Sequence, residues 1–528
     1  MKVNNLKYTL LACAAMAVGA SSCTGDLDIT PKDPSKRTDL TTGLEYYGAF
    51  ANLYAGLTIA GVNNNSDITV DDGGAGVYTR QLWNLQELCT DEAFIGKNWN
   101  DAGLDELDYA TWSPDNHWLY EAMSRFTFEI AICNEFLRTI DKAAEVTNPI
   151  SADEIAQMKR EARVLRALAY YHMMDCFGRG PWATENSTVS ETPPTETRAQ
   201  MFPKVVADLE DAINGGIPKA ADQVYGRVGR EGALMLLAKL YLNAEVYTGT
   251  PMYDKCAAAC QEILKTVNTL VGENNDGKEY KYLFCATNDR YARGGEIIWA
   301  VPQDNSYTQS YGGTTYLGMG AYNANIDANL QKRLGIDGTG WGGPRVRPEL
   351  GRTVASDDAR FLFWTDGLSN DLHEIGDWGM PGGSGLMCIK YVYTPEENYY
   401  NTDGSVKVNT FNSADFPLFR LADTFLMLAE CQLKGVSCNG QSYFDRVRAR
   451  AGLQPIALTA DNLLDERMRE LYWEGHRRSD LIRFGKFTTK NWSWKGGVEN
   501  GVGTISADRQ LYAIPTQYVS TVGQNPGY

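Results

Sequence analysis

The sequence predicts a mainly α fold. Its scaffold is a tetratricopeptide-like stack of helix pairs, with a loop-rich irregular region carrying a few short strands. Three observations predict it. Apolar residues recur near a 3.6-residue period along residues 43–267 and again along 419–485. Alanine is frequent in those stretches, where small side chains let helices approach and each pair buries its face by stacking on the next. Between about 270 and 417 the period fades, and Gly, Asn, Tyr and Trp become frequent.

The elements follow in order. Residues 43–60 form a first helix, and 118–144 a second, with Phe126, Ile130, Cys133, Phe136, Leu137 and Ile140 on one face. Residues 152–177 form a third. Ser151 is its cap, and Glu154 three residues on completes a capping-box pattern. Met158, Ala162, Leu165 and Ala169 make its apolar face, while Arg160, Arg163 and Arg166 lie mostly opposite. Gly178, Gly180 and Pro181 stop it. Helices are expected over 199–214, 227–247 and 254–267. In the irregular region, 296–301 and 387–393 read as strands. Helices resume over 419–434, 441–451 and 460–484. An irregular segment this long inside a compact domain normally carries function, presented by a rigid scaffold.

The N-terminus reads as an export signal over residues 1–22. Lys2 and Lys7 precede an apolar run from Tyr8 to Gly19, which is too short to span a bilayer. Ala20, Ser21 and Ser22 lead into Cys23, the arrangement read by bacterial lipoprotein processing, so Cys23 is the expected lipid acceptor. The chain of 528 residues is 43% hydrophobic, enough for a large core. Its net charge of -17, with no basic tract, argues against nucleic acid as a partner. Of eleven cysteines, the nine after Cys23 lie mostly in apolar runs and read as buried free thiols. Cys256 and Cys260 are one helical turn apart but have no second ligand pair, so no metal site is expected there.

No catalytic motif stands out. His117, His172, His373 and His476 lie in no zinc-protease pattern, and neither a nucleophile elbow nor a phosphate loop is present. His172 and His476 read as structural. Acidic residues abound, so a secreted glycosidase with two carboxylates stays open as an alternative, although nothing marks a particular pair. No cofactor is expected. The acidic stretches Asp71-Asp72 and Asn274-Asn275-Asp276 permit calcium but read as solvated.

The C-terminal region carries the densest pattern. Glu466 to Gly485 reads as one charged and aromatic helix, followed by Leu511-Tyr512-Ala513-Ile514-Pro515 and by Gln524-Asn525-Pro526-Gly527-Tyr528. Glu470, Glu474, Arg477, Arg478, Asp480 and Arg483 recur at spacings that bridge along a helix, so they are assigned to the scaffold. This combination resembles the C-terminal signature of the SusD/RagB family. The resemblance covers nearly the whole mature chain. It implies a single domain over 23–528 with four tetratricopeptide-like units, contributed by about 43–267 and 419–485. The ligand-binding loops then lie within about 270–417. It further implies a non-catalytic, lipid-anchored protein of the outer membrane, exposed at the cell surface. Such a protein captures oligosaccharides for a TonB-dependent, SusC-type transporter.

Within that family the likeness is to a starch-binding member, which points to α-1,4-glucan; a different glycan is the alternative. Tyr311-Gly312-Gly313-Thr314-Thr315-Tyr316 resembles the loop with a sugar-stacking tyrosine, and Gly340-Trp341 the stretch with a stacking tryptophan. Tyr78 to Glu92 resembles the segment with a sugar-binding arginine, and Lys97 to Asp101 the loop with another tryptophan and an asparagine. The resemblance thus implies an aromatic arc of Tyr311, Trp341 and Trp99. Arg80 and either Asn100 or Asp101 would bond sugar hydroxyls. The loop after Glu92 and the stretch 338–348 depart from the family pattern. A flat ring matches the C–H face of a pyranose and loses little entropy on binding. Tyr307, Tyr316 and Trp83 read as structural.

Overall fold

Helix α1 (Gly43–Thr58) opens the fold. Short α2 (Tyr78–Trp83) runs directly into a π-helical turn, Asn84–Leu88. Then come α3 (His117–Thr139), α4 (Ala152–Phe177), α5 (Arg198–Asn214), α6 (Arg230–Leu242) and α7 (Tyr253–Ile263). The computed structural model describes residues 40–61, 74–95, 101–188, 190–274, 277–323, 325, 330–371, 385–398, 406–496, 498 and 501–528. Consecutive helices pack pairwise: α3 on α4, α4 on α5, α5 on α6 and α6 on α7. After the irregular region, α8 (Gly313–Met319) among it, come α9 (Leu421–Leu433), α10 (Gly440–Arg450), α11 (Ala460–Leu471) and α12 (Arg477–Arg483). Helix α9 packs on α7, α10 and α11, which joins the two helical halves into one stack. Helices α6 and α9 are buried nearly all round. Helices wholly apolar in their surroundings belong in a core, and these two sit at the join. Among the described residues no helix is long and apolar enough to cross a membrane. The nine cysteines after Cys23 are free and buried.

Helix α4 ends where the residues predict. Ser151 Oγ accepts the Glu154 amide at 3.3 Å, but Glu154 bonds the Tyr47 hydroxyl. Gly178 closes the helix at φ +68°, and a Cβ there would meet Leu511 at 2.6 Å. The strand expected near 296–301 forms as β1 (Ile297–Val301). Its antiparallel partner is β2 (Phe416–Arg420), whose last residues read from sequence as the start of a helix. The strand expected over 387–393 is confined to Met387–Cys388.

The C-terminal signature is not one helix. It breaks between α11 and α12, where Trp473 and Gly475 adopt φ +63° and +80°. Two buried carboxylates from the segment after α2 hold the break open. Glu92 accepts the Trp473 amide at 3.1 Å, and Glu87 accepts those of Gly475 at 2.6 Å and His476 at 3.2 Å. A carboxylate on free amides replaces the carbonyls a continuous helix would supply. Burial pushes Glu87 up to about 7. Burial and then the Glu87 charge push Glu92 upward too. The pair therefore holds a proton near neutrality. Folded affinities raised above the unfolded ones give stability that is full below the unfolded value and lost as pH rises through the folded one. Melting temperature is expected to fall between roughly pH 5 and 8. Glu87→Gln is expected to flatten that slope; an unchanged slope would remove the pair as its source.

The charges of the signature are buried and pair mostly across elements rather than along the helix. Arg420 binds Glu474 at 2.6 Å, Glu470 at 2.8 Å and Glu296 at 2.9 Å, all of them buried. Arg360 reaches Glu466 at 2.6 Å and Asp358 at 2.7 Å, and Arg477 reaches Asp91 at 2.7 Å. Arg483–Asp480, at 2.8 Å, follows the expected spacing along a helix.

Candidate functional site

The loops of the irregular region bring Tyr311 and Trp341 together. Their ring centroids lie 5.9 Å apart with planes inclined at 58°. Tyr311 is 42% exposed and Trp341 half-buried. A third ring, Phe411, sits 5.1 Å from Tyr311 at 47° and is also half-buried. Tyr316 lies 6.5 Å from Trp341 and is fully buried beneath it. The three rings are inclined to one another, with buried Tyr316 beneath Trp341 and Tyr311 the most open of them to water.

Each ring is fixed by its backbone. Trp341 donates its amide to Met319, Gly342 to Tyr322 and Gly343 to Gly320, at 2.9, 2.8 and 2.8 Å. This pins the 341–343 loop to the end of α8. Gly340 makes the approach feasible: its φ is +71°, and a Cβ there would stand 2.2 Å from the Tyr322 oxygen. Gly340→Ala is expected to cost about 1–3 kcal/mol of stability and to displace Trp341. Wild-type melting would contradict that. On the other side, a Cβ at Gly312 would meet Val77 at 2.5 Å, so Tyr311 enters α8 flush against the start of α2. Phe411 is placed by two threonines of α8. Thr314 Oγ1 donates to the Ala414 carbonyl at 2.6 Å, and Thr315 Oγ1 accepts the Asn412 amide at 3.0 Å.

Arg80 supports these rings from behind. Its guanidinium carbon lies 4.2 Å from the Tyr316 ring centroid and 4.8 Å from that of Trp118. Arg80 is 4% exposed, and its guanidinium is ion-paired with Asp101. The two groups expected to reach separately for sugar hydroxyls are bonded to each other. Asp101, about a quarter exposed, is the one that faces out. The reason is local: α2 is buried along its whole length, so a side chain from its middle points into the protein. Trp99, Asn100, Cys23, His373, Asp71, Asp72, Asn275 and Asp276 lie outside the described residues.

Trp83 and Tyr316 are fully buried, as expected of structural rings. Tyr307 is not: it is 89% exposed. Phe411 went unmarked in the sequence. The signal that identifies it is an aromatic flanked by Asn409, Thr410, Asn412 and Ser413, a loop composition like that around Tyr311.

A stack of helix pairs interrupted by an irregular region with short antiparallel strand pairs is the fold of a known class. The SusD family model matches residues 383–528, and a second model, described as starch-binding associating with outer membrane, matches residues 62–242. By these matches the chain is similar to the SusD/RagB family along most of its length. It is 29% identical to the starch-binding protein SusD of Bacteroides thetaiotaomicron, with all of both chains covered. It is 24% identical to SusD-like protein P25 of Formosa agariphila over 64% of this chain and 65% of that one. Among solved structures, surface glycan-binding protein A from Bacteroides fluxus superposes with a TM-score of 0.67 at 21% identity, over 93% of this chain and all of that one. A laminarin-binding SusD-like protein superposes with a TM-score of 0.65 at 22% identity, with the same coverage.

Proposed function

We propose that the protein is a non-catalytic glycan-binding lipoprotein of the outer membrane. It captures α-1,4-glucan of starch and passes it to a TonB-dependent, SusC-type transporter. The observation that carries this reading is the group of mutually inclined, partly exposed rings Tyr311, Trp341 and Phe411. Rings inclined to each other follow a chain that itself curves, as an α-1,4-glucan does, and stacking on them needs no reacting group. Asp101, held by Arg80, supplies a carboxylate acceptor for sugar hydroxyls. Starch is put first because the relative named for it matches along the full length at 29% identity. The laminarin-binding neighbour, at 22%, supports the fold alone. Lipidation at Cys23 holds the protein beside its transporter and raises their effective concentration.

The test uses Cys23→Ser, which lacks the lipid acceptor and is expected in the soluble fraction. On a glycan array it is expected to bind α-1,4-glucans, and in a reducing-sugar assay to release no product. Binding confined to β-linked glycans would overturn the starch assignment. Sustained sugar release would overturn the non-catalytic one.

A further inference from the structure

We propose that Tyr307 is an outer sugar platform, extending the shelf toward longer glycans; this rests on the glycan-binding reading above. Tyr307 is the most exposed of the large apolar side chains among the described residues, at 89%. A ring so exposed contributes almost nothing to the core, yet its backbone is firmly held. Asp304 Oδ1 accepts the amides of Ser306 at 2.7 Å and Tyr307 at 3.0 Å. The Thr308 amide returns to the Asp304 carbonyl at 2.9 Å, and the Asp304 amide donates to Thr308 Oγ1 at 2.6 Å. An aspartate that bonds amides two and three residues on fixes a tight turn.

That turn belongs to the shelf. The Asn305 amide donates to Ser413 Oγ at 3.1 Å, two residues from Phe411. Tyr307 is four residues from Tyr311, so their Cα atoms are at most about 14 Å apart. A glycan lying on Tyr311 and Phe411 needs only a few further units to reach Tyr307. The turn gains rigidity while its one large side chain is left in water. That is the arrangement of a preorganised contact, in which little ordering entropy remains to be lost on binding.

The test is calorimetry with short and long malto-oligosaccharides on wild type, Tyr307→Ala, Tyr307→Phe and Trp341→Ala. Tyr307→Ala is expected to bind short chains like wild type and long chains about tenfold more weakly. Tyr307→Phe, which keeps the ring, is expected to retain long-chain affinity. Wild-type affinity of Tyr307→Ala for long chains, or an equal loss at every length, would overturn the outer platform. If Trp341→Ala loses binding while Tyr307→Ala does not, only the platform falls. If Trp341→Ala also binds as wild type, the shelf itself is refuted.

Discussion

Trp341→Ala is expected to weaken binding of malto-oligosaccharide by about 2–4 kcal/mol, a factor of roughly 30 to 1,000. The ring forms one end of the shelf, with Tyr311 beside it and buried Tyr316 beneath. Large, well-packed aromatics dominate binding energies because they offer rigid apolar area to a desolvated contact. Trp341 also packs against the core, so its removal is expected to lower the melting temperature as well. Tyr311→Ala separates the two effects. With 42% of its surface in water, it is expected to lose affinity with little change in melting. Trp341→Phe, which keeps a smaller ring in the same place, is expected to recover part of the affinity. Tryptophan emission titrated with ligand gives the readout in the Tyr311 variant. Full affinity in both alanine variants would show that glycan binds elsewhere or not at all.

The helices were legible because burial imposes a period. Residues 152–177 carry a cap, an apolar face and a stop, and α4 has those same bounds. The break after α11 was not legible, since the groups that open it, Glu87 and Glu92, lie nearly four hundred residues upstream. The strand Phe416–Arg420 was hidden for a similar reason. Its partner, Ile297–Val301, is more than a hundred residues away, and Arg420 leads directly into α9. In the site, Tyr311 and Trp341 could be named from motif likeness, but their contact depends on the glycine-led approach of residue 340 to Tyr322. Arg80 shows the limit of that likeness. A motif gives the residue type but not the burial of the helix that bears it, and Arg80 lies behind the rings. Phe411 carried a loop-composition signal, whereas the exposure of Tyr307 depends on a turn whose hydrogen bonds only the fold reveals.

The largest effect on stability is expected at Arg420. Its guanidinium binds Glu474, Glu470 and Glu296, and Nη2 also donates to the Glu470 carbonyl at 2.9 Å. Burial alone pushes the Glu470 carboxyl upward, but Arg450, Arg420 and Arg360 outweigh it and hold it well below the usual range. Glu474 is likewise lowered, burial being outweighed by Arg420 and Lys390. Arg420→Met keeps much of the stem volume and removes the charge, leaving carboxylates stranded in the core. Breaking a buried pair from one side costs about 3–5 kcal/mol, so melting is expected to drop by several degrees. The sign of the pH dependence follows. In wild type, depressed carboxyls contribute stability that is present above their unfolded values and lost as pH falls through the folded ones. In the variant the stranded glutamates are relieved by taking up protons, so its deficit is expected to shrink as pH is lowered from 7 toward roughly 5. Adding Glu474→Gln to Arg420→Met removes one stranded charge and is expected to recover part of the loss. A deficit that neither shrinks with acid nor responds to the second substitution would place the effect in packing, not in the ionic network that joins β2 to the C-terminal signature.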